Sequence, residues 1–329
     1  MLSSRLALAA LAVSSFAACH HDPNTGGNNN PDGAVGSDAD PNGTAAFEIK
    51  SPDIMLPAGT EVTYCYYFHT PNTSALNINK WVSAMTPGSH HMIMFFNNGS
   101  QPADGTIDTN GCGVGGTGTN IPIWVYAAQT QTAELDLPAD DGAGKPLAMA
   151  IPAGQAAYFQ MHYLNASNGP LTVHVDLKAY ALAAGTAFTQ TDAFITYNAN
   201  ISIPPHAVNL TQSMTCNVPS GAKFWTVSTH SHKQSIATDL KDGTAMVFSS
   251  TDWEHPGAMS WMTAPFYTFT SGQMTYECTY DNNGQTAPPD NENNTIVSGP
   301  SAQTNEMCMG TGYYFPATTP KFCYNNLSL

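Results

Sequence analysis

Charge is scarce in this chain. Only 10% of its 329 residues are Asp, Glu, Lys or Arg, against about a quarter in an ordinary soluble protein. The basic side is the poorer one: 9 Lys and Arg stand against 24 Asp and Glu, a formal net charge of −15. Lys and Arg form no cluster, so the basic stripe that displaces counterions from a nucleic acid is missing, and an anionic membrane surface would repel the chain. Beyond the N-terminus there is no run of the roughly 18 apolar residues that a membrane-spanning helix needs. A Cys-x-x-Cys spacing is absent, which leaves zinc-ribbon and thioredoxin-like readings without support. Long amphipathic helical periodicity is absent too.

What is present is β-forming. Hydrophobic residues make up 42% of the chain, enough for real cores, and the length suits two domains. Short apolar runs recur from about residue 46, among them 61–68 (EVTYCYYF), 91–96 (HMIMFF), 156–163 (AAYFQMHY) and 171–177 (LTVHVDL). The second half continues with 223–230 (KFWTVSTH), 244–248 (TAMVF) and 274–280 (MTYECTY). Turn clusters such as NNGS at 97–100 and DNNG at 281–284 separate them. The pattern predicts an all-β fold of two tandem domains, over 45–185 and 186–329, with the boundary in the weakly patterned stretch 182–195 ahead of Ile203-Pro204-Pro205.

Residues 1–19 read as an export signal. Arg5 supplies the positive start, 6–16 the apolar stretch, and Phe16-Ala17-Ala18-Cys19 a lipobox-like end. Cys19 is expected to be lipidated, and the chain to be a bacterial cell-envelope lipoprotein, at the outer membrane or cell surface, or otherwise secreted. A plain cleavage near Ala18 is the alternative. Residues 20–44, rich in Asn, Gly, Pro and Asp, bury too little apolar surface to offset ordering entropy and read as a flexible linker.

Setting Cys19 aside leaves six cysteines: Cys65, Cys112, Cys216, Cys278, Cys308 and Cys323. An even number in an exported chain predicts disulfides, but six cysteines allow fifteen pairings and the sequence does not choose among them. Two lie in the first half and four in the second, which fits one bridge and two.

Candidate chemistry lies in the eleven histidines. His230 and His232 form an HxH pair, and in a strand i and i+2 share a face, so both imidazoles can reach one metal. Two solvent-facing histidines on a polar strand would look the same. His90 and His91 are adjacent. In an ideal strand they would point apart, so both can serve one metal only if the chain is irregular there; Gly88 and Ser89 permit such a bend. His162 sits among apolar neighbours, where a lone His is commonly a hydrogen-bonded core residue. Met307 would ordinarily be packing material. His20 and His21 read as tail residues, and His69, His174, His206 and His255 as surface or hydrogen-bonding residues.

In chain order, His90-His91-Met92, Gln160-Met161-His162-Tyr163, Thr229-His230-Ser231-His232 and Glu306-Met307-Cys308 resemble the copper type II ascorbate-dependent monooxygenases. That family includes the peptidylglycine α-hydroxylating and dopamine β-monooxygenases. Thr63-Tyr64-Cys65, Ile203-Pro204-Pro205 and Tyr313-Tyr314 support the resemblance. It implies two antiparallel, jelly-roll-like β-sandwiches with a solvent-filled cleft between two copper ions. One copper would be held by His90, His91 and His162. The other, the catalytic one, would be held by His230, His232 and Met307. The implied disulfides are Cys65–Cys112, Cys216–Cys323 and Cys278–Cys308, the last pinning the chain beside Met307. Imidazole suits both copper oxidation states and a thioether favours Cu(I). Neither set has a carboxylate, which disfavours Mg, Ca and Mn, though zinc is left open at the three-His set. The implied partners are O2, ascorbate or a similar reductant, and a small-molecule or peptide-like substrate hydroxylated at an activated C–H bond. Membrane contact would come only through the N-terminal lipid.

Two departures bear on substrate. The peptide-processing members carry an Arg two residues before the HxH and a Tyr four residues after the Met ligand; here those positions are Ser228 and Thr311. A bidentate Arg is not easily replaced, so a peptidylglycine substrate is not expected. A non-catalytic copper-binding or storage protein of the cell envelope, and an adhesive β-sandwich with incidental histidines, are the competing readings.

Overall fold

The computed structural model describes residues 44–109, 122–283, 291–302 and 304–328. Apart from one short 3-10 turn at Asn291–Asn293, all their regular structure is strand. The expected export signal, Cys19 and nearly all of the linker lie outside the described residues, as does Cys112.

The strands up to Gln190 pair with one another in two main sheets. In one, Phe47–Lys50, Val175–Ala181, Leu76–Met85, Leu147–Ile151 and Thr189–Gln190 lie in that order, with Thr132–Asp136 also on Leu76–Met85. In the other the order is Ile107–Asp108, Glu61–His69, Ala156–Leu164, Ser89–Phe96 and Ile123–Ala128. The strands from Asp192 onward form a second pair of sheets. One runs Ala258–Ser260, Lys223–Ser231, Cys308–Phe315, Asp192–Tyr197, Lys321–Tyr324 and Leu327–Ser328. The other runs Leu210–Asn217, Gln273–Tyr280, Ser235–Asp242 and Ala245–Ser250. Pairing is antiparallel except where Thr189–Gln190 meets Leu147–Ile151 and where Asp192–Tyr197 meets Lys321–Tyr324.

Alternation explains the layering: Val175–Ala181 reads buried at Val175, Leu177 and Ala179 and partly exposed between, as a half-buried strand must. Ser89–Phe96 and Ala156–Leu164 are instead buried almost throughout, because each is flanked by a strand on both sides and covered on both faces. The run expected as one strand at 171–177 is two, broken at His174. The Thr86 hydroxyl accepts the His174 N–H, and the two pieces join different sheets, so the chain must turn between them.

Trp81, Phe159 and Leu177 are fully buried in the first sandwich, and Phe224, Tyr276 and Leu240 are nearly so in the second. The first core continues into the second sandwich through Ile195, Trp225, Met309 and Tyr313. Trp225 and Tyr313 stack at 5.3 Å, and the Tyr313 hydroxyl donates to the carbonyl of Val125 at 3.0 Å. Asn42–Leu329 accordingly forms one compact unit. Two disulfides brace the second sandwich, Cys216–Cys323 and Cys278–Cys308. Cys65 is also disulfide-bonded.

Candidate functional site

The adjacent histidines are brought to one side by a bulge. His162 pairs across the ladder with His91, but the next residue, Tyr163, pairs with Ser89. His90 is therefore the extra residue, and a bulge of this kind re-aims a side chain that would otherwise point to the opposite face. Gly88, at φ 93°, makes the approach to it. The three rings cluster: His90 lies 5.1 Å from His162, His91 lies 5.0 Å from His162, and His90 and His91 are 5.3 Å apart. His162 Nδ1 is 3.3 Å from His91 Nε2, and its Nε2 is 2.9 Å from the Glu61 carboxylate.

The HxH pair ends the strand Lys223–Ser231. His230 and His232 have ring centres 5.3 Å apart, as the two-residue repeat requires. Across the ladder His230 faces Met309 and Ser231 faces Cys308, which brings Met307, one residue before the strand Cys308–Phe315, to the same end. The Cys278–Cys308 bridge ties this end to the strand Gln273–Tyr280, and the Tyr280 hydroxyl donates to the Met307 carbonyl at 3.1 Å. Glu306, fully buried, accepts the backbone N–H of His232, Gln234 and Met307 at 3.0, 2.6 and 3.1 Å.

The two sets meet. His91 and His230 rings are 5.4 Å apart, so no solvent-filled cleft separates them, contrary to the expectation from resemblance. The apolar contact through Ile195, Trp225 and Tyr313 draws the sandwiches together, and polar links reinforce it. Glu61 accepts from the Ala302 N–H at 3.0 Å and from the Ser301 hydroxyl at 3.3 Å. His230 Nδ1 donates to the Gln129 side-chain oxygen at 3.2 Å. Trp253, from the loop 251–257, lies 5.5 Å from His90. Beside the histidines a cavity of about 360 Å³ opens between the sandwiches, with His91, His162, His230 and Met307 in its wall.

Burial decides the protonation of these rings. It pushes His90 down to about 4, reinforced by repulsion from His162. It pushes His232 down to about 3, against the opposing hydrogen bond to Asn305. Burial and the neighbouring imidazoles hold His91 and His230 well below the ordinary 6.5. Glu61 goes the other way. Burial raises its carboxyl, but the hydrogen bonds from His162, Ala302 and Ser301 together hold it below the usual value. Burial drives Glu306 up to about 8 despite its backbone donors.

Among the described residues, no three His, Cys, Asp or Glu side chains enclose a metal ion as they stand. The donor chemistry nonetheless fits copper. The His232 Nδ1–H is committed to the Asn305 carbonyl at 3.1 Å, so Nε2 carries the lone pair, and Nε2 is buried without a partner. His90 Nε2 and His91 Nδ1 are likewise buried and unpartnered, a costly state for a polar atom that a metal would relieve. A carboxylate at His162 and a carbonyl at His232 are the partners that commonly orient ligating imidazoles.

Of the remaining histidines, His69 lies 2.7 Å from Asp104, His174 lies 2.8 Å from Asp53, and His206 occupies a left-handed turn at φ 57°. His255, exposed, borders the cavity. The sequence reading missed Glu61, Gln129, Trp253 and the anchoring role of Glu306. Only Glu306 carried a signal: a lone acidic residue beside a candidate ligand in a chain poor in charge.

Comparison with known proteins adds one family match, over part of the chain. The model of the copper type II ascorbate-dependent monooxygenase C-terminal domain matches residues 191–329. No curated protein matches the chain. Among solved structures it is similar to the major capsid protein P2 of bacteriophage PM2, at 8% identity and a TM-score of 0.32, covering 82% of this chain and 96% of that one. It is similar also to PNGase F, a glycosylasparaginase from Flavobacterium meningosepticum, at 11% identity and 0.34, covering 83% and 96%. Likenesses this weak carry no inference.

Proposed function

From the match of residues 191–329 to the model of the copper type II ascorbate-dependent monooxygenase C-terminal domain, we propose that the chain is an exported copper monooxygenase that hydroxylates a C–H bond of an organic substrate. The observation that carries the reading is the end of the strand Lys223–Ser231. There an HxH pair with a buried, unpartnered Nε2 stands with Met307 beside a cavity and against a second cluster of three histidines.

His230, His232 and Met307 would hold one copper, and His90, His91 and His162 the other. Copper supplies the one-electron chemistry by which a C–H compound, O2, two electrons and two protons become an alcohol and water, with ascorbate or a similar reductant as electron source. The protein's residues prepare that site. Asn305 and Gln129 take the Nδ1 protons of His232 and His230, which leaves each Nε2 free to donate its lone pair. Glu61 orients His162. The Trp253 ring beside His90 screens the three-His set from water. The signal-like residues 1–19, with Cys19 in a lipobox-like context, support an envelope location.

The test is copper content with ascorbate-dependent O2 uptake. The reconstituted protein is expected to hold two coppers per chain with a type II EPR signal that ascorbate bleaches. Met307→Ala is expected to lower ascorbate- and substrate-dependent O2 uptake by at least about a hundredfold, the scale of losing a group that the chemistry needs, while the three-His copper stays bound. Full activity in that variant would sink the assignment. Two bound coppers with no O2 uptake in the parent protein would favour a copper holder instead.

A further inference from the structure

The cavity between the sandwiches is walled, among the described residues, by uncharged side chains and imidazoles. Among the described residues lining it there is no Asp, Glu, Lys or Arg. Trp124, Leu135, Ile195 and Tyr313 supply apolar surface, and the polar part consists of amides, hydroxyls and imidazoles such as Gln129, Thr226 and Thr311. Ser228 and Thr311 face each other across the ladder, both short and both in the wall. The Ser228 hydroxyl is engaged with the Gly257 carbonyl, so it offers no donor to an anion. An ion entering such a space would lose its water without gaining a partner from these walls, at a cost of several kcal/mol.

We propose that this cavity binds an uncharged, mainly apolar small molecule and presents one of its C–H bonds toward His230 and Met307. The volume, about 360 Å³, falls in the range of small-molecule sites. The assignment rests on the reading of His230, His232 and Met307 as the set that faces substrate. What it adds is the charge class of that substrate, set by the walls.

Three probes with one skeleton test it: 4-phenylbutan-1-ol, 4-phenylbutanoate and 4-phenylbutylamine. Binding is read by tryptophan fluorescence and calorimetry on metal-free protein, where no copper can hold the carboxylate or the amine, and in parallel on copper-loaded protein without O2. The alcohol is expected to bind at least about tenfold tighter than either ion, the least that an unpaired buried charge should cost. Thr311→Trp, which fills the cavity, should remove alcohol binding without changing copper content. Ser228→Arg should gain at least about tenfold for the carboxylate, since a guanidinium in the wall supplies the missing partner. A charged probe binding as well as the alcohol to the metal-free parent protein would overturn the proposal, as would no alcohol binding at millimolar concentration. Because copper content is measured separately and the walls are present without metal, this failure is distinguishable from a failure of the copper reading.

Discussion

Metal-free protein is expected to be less stable at pH 5 than at pH 7 by on the order of 4 kcal/mol, from shifts at six groups. Burial depresses His90, His91, His230 and His232 below the ordinary 6.5. Each therefore stabilises the fold above 6.5, and that contribution is lost as pH falls, because the unfolded chain takes up a proton that the folded chain refuses. Over this interval each imidazole forfeits about 2 kcal/mol. Two acids oppose them. Glu306 is raised to about 8 and Asp192 to about 6, both by burial. Their contribution is fully present below the ordinary carboxylate range and fades as pH rises through those values, so acidification restores about half of what the imidazoles lose. Urea denaturation at a series of pH values measures the balance. Stability that stays level or grows between pH 7 and pH 5 would contradict the protonation states assigned to the histidine cluster.

Glu306→Ala is expected to cost about 3–5 kcal/mol, the scale of leaving several buried backbone donors unsatisfied at once. The carboxyl accepts three backbone N–H groups, from His232, Gln234 and Met307, and alanine would leave all three buried without an acceptor. Those donors belong to the two segments that carry the HxH pair and the thioether, so the effect should not stop at stability. Glu306→Gln keeps the shape but offers one acceptor oxygen and turns an N–H2 toward N–H donors. It is expected to weaken copper at the His230, His232 and Met307 set while the three-His copper is retained. The urea midpoint reads the first effect and copper stoichiometry the second. A cost under about 1 kcal/mol, with two coppers kept, would mean that Glu306 does not tie these segments.

How much of this was legible differs from element to element. The strand 223–230 was readable because its signals are local. Alternation and β-branched or aromatic residues mark a strand, and the i, i+2 spacing places His230 and His232 together whatever the rest of the chain does. The structure has this strand at Lys223–Ser231 and the two rings side by side. His90 and His91 were only half legible. The sequence required an irregularity for both to serve one site, but the bulge that supplies it is a property of the pairing with Ala156–Leu164, which neighbouring residues do not encode. Glu61 and Gln129 were not legible at all, since each meets its histidine from 101 residues away.

The amino-acid sequence by itself determined the all-β class and which histidines were candidates for one site, because composition, spacing and two-residue periodicity are local quantities. Only the tertiary structure decided that the two histidine sets touch, that Glu306 knots the ends of two strands, and that the described residues lining the cavity beside them include no Asp, Glu, Lys or Arg. Each of those depends on contacts between segments distant in the chain, made when burial of Ile195, Trp225 and Tyr313 against the first sandwich sets the distance between the two halves.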